Sequence, residues 1–198
     1  MKRQNLKTPE ANNFIGIWNF ENKELCKEII NFFEKNKSLQ KKGQTALGVN
    51  EKIKKTTDIT IDPLDLQKKE YSVFNDYFKK LNECFLDYKD QYSFLDTFLK
   101  KIHIGHFNVQ KYLPGDHFAQ SHSERTGLNN LHRIFAWMTY LNDVEDGGTT
   151  NFDYYKIKIK PECGKTLIWP AEWTHVHSGS ILKSGSKYII TGWMHFTD

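Results

Sequence analysis

Several things are scarce in this 198-residue chain, and each scarcity excludes something. Cysteine occurs three times, at Cys26, Cys84 and Cys163, widely separated and odd in number. That gives neither a disulfide framework nor a CxxC metal pair, so a reducing, cytoplasmic compartment is expected. Each thiol reads as a small buried hydrophobe. Arginine is confined to Arg3, Arg125 and Arg133, although Lys and Arg together number 28 against 24 Asp and Glu, for a formal charge of +4. Nucleic-acid readers rely on the arginine fork for bases and phosphates, so the lysine excess reads as solubility and nucleic acid is not expected as a partner. No run approaches the roughly 18 apolar residues of a membrane span. The start, Met1-Lys-Arg-Gln-Asn5, lacks the apolar stretch of a signal peptide. There is no internal repeat and no low-complexity stretch.

Aromatic residues are plentiful, with 14 Phe, nine Tyr and five Trp. They can fill the core of one domain even though only 38% of residues are apolar. A single domain over 1–198 is expected, with 1–100 supplying helical support and early strands and 101–198 a β core. Phe14–Trp18 alternates as a short strand. The apolar positions Leu25, Ile29, Ile30, Phe32 and Phe33 predict a helix from Asn22, its cap, to Lys35. Residues 37–56 show no period and read as a loop, and 57–62 alternates as a strand ended by Pro63. A helix is expected from Leu64 to Tyr88, with 92–101 either its continuation or a separate short helix. Strands are expected over 103–112, 131–141, 155–160, 166–169, 173–177 and 187–196, making about eight with the early ones, enough for two packed sheets. Residues 142–148 read as a turn-rich loop, with Gly147-Gly148 making a tight turn.

The chemistry concentrates between Tyr112 and Trp193. His122 and Glu124 are two residues apart, so on a strand or tight turn they face the same way and can reach one ion together. A second histidine, His177, follows from a distant segment. This is the ligand order of the two-histidine, one-carboxylate facial triad of non-haem iron(II) oxygenases, which leaves positions open for an oxidant and a co-substrate. Lys187, Ile189, Thr191 and Trp193 share one face of the last expected strand. An apolar face carrying one Lys and one Thr suits a buried carboxylate, through charge from one and a hydrogen bond from the other. His175 competes with His177, since both share a face of the expected strand 173–177. His117 reads as a solvated loop residue. Arg125 is left open between contacting substrate and offsetting local charge.

Taken together, these residues resemble the 2-oxoglutarate- and iron(II)-dependent dioxygenases, in the branch that contains prolyl 4-hydroxylases. The similarity is close over roughly residues 100–196 and looser in the helical first half. It implies a mainly β, α+β fold: a double-stranded β-helix (a jelly roll, cupin-like) with N-terminal helices packed on one sheet. It implies that His122, Glu124 and His177 hold iron(II) and that Lys187 pairs with the distal carboxylate of 2-oxoglutarate. Tyr112, Tyr140, Thr191 and Trp193 match positions lining that pocket. The branch's spacing from distal histidine to lysine selects His177 over His175. The segment Gly147–Phe152 corresponds to one that shapes the barrel mouth, which makes Phe152 a packing residue. One departure stands out: most of the branch has Asp where this chain has Glu124.

The resemblance further implies O2 as oxidant, ascorbate as reductant, and succinate and CO2 as products. Nucleic-acid dealkylating relatives use a late arginine pair, which is absent here because no arginine follows Arg133. Hydroxylation of a peptidyl proline in a peptide or protein substrate is therefore expected. Hydroxylation of another residue or of a free amino acid is the alternative within the class. A non-catalytic jelly-roll binding module is the alternative outside it.

Overall fold

The computed structural model describes residues 12–45 and 47–197, so the start of the chain lies outside the described residues. Strand β1 (Gly16–Asn19) leads into helix α1 (Lys23–Lys35). Asn22 caps α1 by accepting the Leu25 N–H at 3.1 Å. The helix buries Leu25, Cys26, Ile29, Phe32 and Phe33, the apolar stripe of a 3.6-residue period. The stretch 37–56, expected as a loop, instead carries β2 (Lys41–Lys42) and β3 (Lys54–Lys55), which are too short to leave a period in the sequence. Strand β4 (Thr57–Ile61) follows as expected.

Helix α2 spans Ser72–Gln91, later than the expected start at Leu64. The intervening Pro63–Gln67 and Lys69–Tyr71 are 3-10 turns. Asp62 accepts the Leu64 N–H at 2.9 Å beside Pro63, which favours a tight turn over a continuing α-helix. Ser93–Thr97 is a separate 3-10 turn and not a continuation of α2. The β core then comprises β5 (His103–Ile104), β6 (Phe107–Tyr112), β7 (His117–His122), β8 (Arg133–Tyr140), β9 (Thr150–Phe152), β10 (Ile157–Ile159), β11 (Lys165–Pro170), β12 (His177–Gly179) and β13 (Lys187–His195).

Three expectations are corrected here. Thirteen strands appear among the described residues where about eight were expected. His117 opens strand β7 and does not lie in a loop. Residues 173–177 do not form a strand: Trp173–His175 is a 3-10 turn and His177 begins β12, so His175 and His177 share no strand face.

The strands form two antiparallel sheets. The eight-stranded one runs β1-β11-β8-β13-β6-β4-β2, with β5 paired to β13, and the five-stranded one runs β10-β9-β12-β7-β3. Alternation splits the large sheet into two faces. Ile59, Ile61, Phe107, Val109, Phe135, Trp137, Ile168 and Ile190 pack against α1 and α2. Tyr112, Ala136, Met138, Tyr140, Leu167, Trp169 and Ile189 pack inward against Phe152 and Ile159 of the small sheet. This is the expected double-stranded β-helix with helices on one sheet. Gly192 is required on β13, because a Cβ there would lie 2.7 Å from the Trp137 ring and 3.0 Å from Phe107. No helix among the described residues is long and apolar enough to cross a membrane.

Candidate metal centre and co-substrate pocket

Strand pairing explains why residues far apart in sequence meet. His177 on β12 sits opposite His122 on β7 and, on its other side, opposite Phe152 on β9. The two imidazole rings are 4.4 Å apart between centroids. Glu124 lies just beyond the end of β7 and turns its Oε1 towards both rings, 3.3 Å from His177 Nε2 and 3.8 Å from His122 Nε2. Ligand atoms of His122, Glu124 and His177 all lie within 4.8 Å of one another, the one such three-residue group among the described residues.

Each histidine is oriented from behind. His122 Nδ1–H donates to the Gln120 carbonyl and His177 Nδ1–H to the His175 carbonyl, both at 2.9 Å. In the neutral rings this leaves each Nε2 with its lone pair aimed at the shared space, which is how metal-binding imidazoles are normally fixed. Phe118 stacks on His122 at 3.9 Å, and Trp169 meets His177 edge-on at 5.0 Å. Burial and the neighbouring His177 pull the His122 imidazole down to about 4, so it is neutral at pH 7. Burial pushes the Glu124 carboxyl up, but its contacts with His177 and His122 and the Trp193 N–H outweigh burial and bring it to about 2. Two imidazole nitrogens and one carboxylate oxygen are a donor set that suits iron(II).

Lys187 is the other candidate site residue placed inside the barrel. Its side chain is buried, donates to the Gly148 carbonyl at 3.1 Å and sits 3.9 Å from the centroid of the Tyr112 ring, its partner across the β13–β6 pair. Gly147 and Gly148 both have positive φ, and a Cβ on Gly147 would lie 2.2 Å from the Ile181 carbonyl oxygen, so the turn that offers this carbonyl needs glycine. No acidic side chain among the described residues pairs with Lys187, and burial alone pulls its ammonium down to about 7. An uncompensated buried cation is costly, and it fits the carboxylate of a small co-substrate.

The remaining expected pocket residues are held as follows. The Tyr112 hydroxyl donates to Gln110 Oε1 at 2.8 Å, and Tyr140 and Thr150 share a hydrogen bond of 2.6 Å. Thr191 donates to the Trp137 carbonyl at 2.8 Å. The Trp193 indole N–H donates to Glu124 Oε2 at 2.6 Å, which puts it at the metal centre. His175 faces away, donating through Nε2 to the Asn13 carbonyl at 2.8 Å. Arg125 is tied to structure: it forms an ion pair with Glu172 and donates to the carbonyls of Leu131 and Arg133.

Sequence reasoning missed a buried polar relay beneath the pocket. Lys54 Nζ lies 2.6 Å from Asp58 Oδ2, and Thr56 donates to Asp58 Oδ1 at 2.6 Å. Gln110 Nε2 donates to Asp58 Oδ2 at 3.2 Å while its Oε1 receives Tyr112. The available signal was the two-residue spacing of Gln110 and Tyr112, which puts an amide on the same strand face as the tyrosine. Arg133 was also missed; its guanidinium lies 3.7 Å from the centre of the Trp193 ring.

Comparison with known proteins agrees with this geometry. Residues 107–195 match the family model of the 2OG-Fe(II) oxygenase superfamily. A probable prolyl 4-hydroxylase 9 of Arabidopsis thaliana is 25% identical over 139 residues, covering 57% of this chain; the chain spans about half the length (48%) of that relative. Among solved structures, a prolyl-4-hydroxylase of Pseudomonas putida aligns with a TM-score of 0.70 at 16% identity, covering 94% of each chain. The viral collagen prolyl hydroxylase of Paramecium bursaria Chlorella virus-1, in complex with 2OG, aligns at 0.66 and 20%, covering 93% of this chain and 97% of its own. A Trichoplax adhaerens prolyl hydroxylase in complex with a hypoxia-inducible-factor peptide fragment aligns at 0.69 and 18%, covering 92% and 84%. At these identities the structural matches establish the shared fold. The family-model match spans β6–β13 and includes His122, Glu124 and His177, so over this segment the chain is similar to the 2OG-Fe(II) oxygenase superfamily, and the relatives named above are prolyl hydroxylases.

Proposed function

We propose that this protein is a 2-oxoglutarate- and iron(II)-dependent dioxygenase that hydroxylates a peptidyl proline. The observation that carries the reading is a pair of features inside one barrel: the His122–Glu124–His177 group, and a buried Lys187 with no acidic partner. His122, Glu124 and His177 would hold iron(II). When bound, iron(II) supplies oxygen activation, coupling decarboxylation of 2-oxoglutarate to succinate and CO2 with insertion of one oxygen atom into a substrate C–H bond. Lys187 binds the distal carboxylate of the co-substrate, its charge restored by the anion it pairs with. The Tyr112 ring beneath Lys187 holds the ammonium in place through a cation–π contact. Trp169, Phe152 and Phe118 wall the two imidazoles with apolar surface and exclude water from the reacting atoms.

The proline substrate rests on the named relatives and on the position of Lys187 ten residues after His177. Ascorbate as reductant and a reducing, cytoplasmic setting belong to the same proposal, and the free thiols of Cys26, Cys84 and Cys163 fit that setting. The test is anaerobic addition of iron(II) and then 2-oxoglutarate, followed by the visible metal-to-ligand charge-transfer band. The band is expected in wild type and His175→Ala, absent in His177→Ala and weakened in Lys187→Ala. Proline-rich peptides should then gain one oxygen by mass, with equimolar succinate. A wild type that binds no 2-oxoglutarate would overturn the proposal.

A further inference from the structure

Glu124 is held from two sides, and each side uses a different oxygen. Oε1 faces the two histidines, whereas Oε2 receives the Trp193 indole N–H at 2.6 Å. Trp193 cannot easily follow a retreating partner, because it sits in register opposite Ala136 in the middle of the large sheet. Arg133 closes the arrangement: its guanidinium lies over the indole at 3.7 Å, its NH1 donates to the Glu124 carbonyl at 3.1 Å, and the same atom is 3.8 Å from Oε2. Glu124 is therefore fixed at its backbone, at one carboxylate oxygen and, through Arg133, at the ring that holds that oxygen.

From this geometry we infer that Trp193 is a positioning residue matched to glutamate at position 124. The indole occupies Oε2 so that Oε1 alone is presented to the imidazoles. Shortening the side chain by one methylene withdraws the carboxylate by about 1.5 Å, roughly one C–C bond. A hydrogen bond of 2.6 Å cannot absorb that retreat while the carboxylate also reaches His177. An aspartate here gives up either the indole or the histidines. The departure from the branch's usual Asp and the Trp193 contact are thus one feature.

The inference rests on the metal reading above, so the test reads metal affinity independently of turnover. Wild type, Trp193→Phe, Glu124→Asp and the double variant are titrated anaerobically with Co(II), following its visible absorption, and each is melted in parallel. Phe keeps the ring under Arg133 and removes only the N–H. Trp193→Phe is expected to weaken Co(II) binding at least tenfold, within the 10- to 100-fold range typical of groups that orient a ligand. In the Glu124→Asp background the same change should have almost no effect, a non-additivity of about tenfold. Arg133→Met provides a second cycle, with a smaller effect of the same dependence, should the indole variant lose its fold. Additive cycles, or a Trp193→Phe affinity within twofold of wild type, overturn the pairing alone. A wild type that takes up no Co(II) overturns the metal reading and the pairing with it.

Discussion

The helix-facing and barrel-facing sides of the same strands are built from different chemistry. On β8, Phe135 and Trp137 point to the helices, while Ala136, Met138 and Tyr140 point between the sheets. The helix side is almost wholly aromatic and aliphatic, and its polar exceptions, Tyr77, Thr139 and Thr166, satisfy one another at 2.8 and 2.7 Å. The barrel side buries Lys54, Asp58, Gln110, His177 and Lys187. One face uses its burial to hold the sheet; the other buries charged and polar groups around the triad at a cost in stability.

The largest effects should separate the two faces cleanly. His177→Ala is expected to cut turnover by at least about 10³-fold while leaving the urea midpoint close to wild type. Trp137→Ala, on the opposite face, should cost about 3–5 kcal/mol of stability by denaturant titration, with metal affinity of the folded fraction retained. If Trp137→Ala abolished metal binding in folded protein, the two faces would not be separable. Next in size, Lys187→Met should weaken 2-oxoglutarate binding by about 10- to 100-fold, as loss of a charge-assisted contact requires. The same change should stabilise the ligand-free protein by about 1 kcal/mol, since it removes a buried amine without a carboxylate partner. A thermal scan showing destabilisation would mean that Lys187 is compensated after all.

The pH dependence follows from the same residue. Its folded value is pulled down to about 7 by burial, so above that pH the free protein holds a neutral amine and must take up a proton to bind the dianion. Affinity for 2-oxoglutarate should be flat below pH 7 and fall by up to about tenfold per unit above it. Between pH 7 and the ordinary lysine range the unfolded chain binds the extra proton, so Lys187 makes ligand-free stability rise with pH there. Calorimetry at several pH values reads both. The smallest effect is expected for Tyr77→Phe, about 1 kcal/mol from one buried hydroxyl pair, with no change in co-substrate affinity.

How legible each face was in the sequence follows from this division. Helix α1 could be read directly, because Asn22 supplies a cap and Leu25 to Phe33 keep a 3.6-residue period. The start of α2 was misplaced because Pro63 after Asp62 signals a turn and a helix equally well. Strand β7 escaped because its residues are half-buried or exposed, so no alternation marks it. The triad and Lys187 stood out by residue type and spacing, and the family resemblance selected His177 over His175 and gave Lys187 its role. The Lys54–Asp58–Gln110–Tyr112 relay was not, because it joins residues up to 58 positions apart through strand pairings that no local pattern encodes. The Trp193 contact was invisible for a related reason: strand alternation says which face a ring occupies, but not where its N–H points.

His175, the competitor that does not reach the metal group, still bears on it. Its backbone carbonyl orients His177, and its ring donates to the Asn13 carbonyl, in a segment where Asn13 Oδ1 in turn receives the Ile15 N–H. The first described residues thus buttress the turn that aims the distal ligand. A fusion joined tightly ahead of Asn13, or a protease cut just after Ile15, would detune the metal centre from across the molecule while every ligand stayed in place.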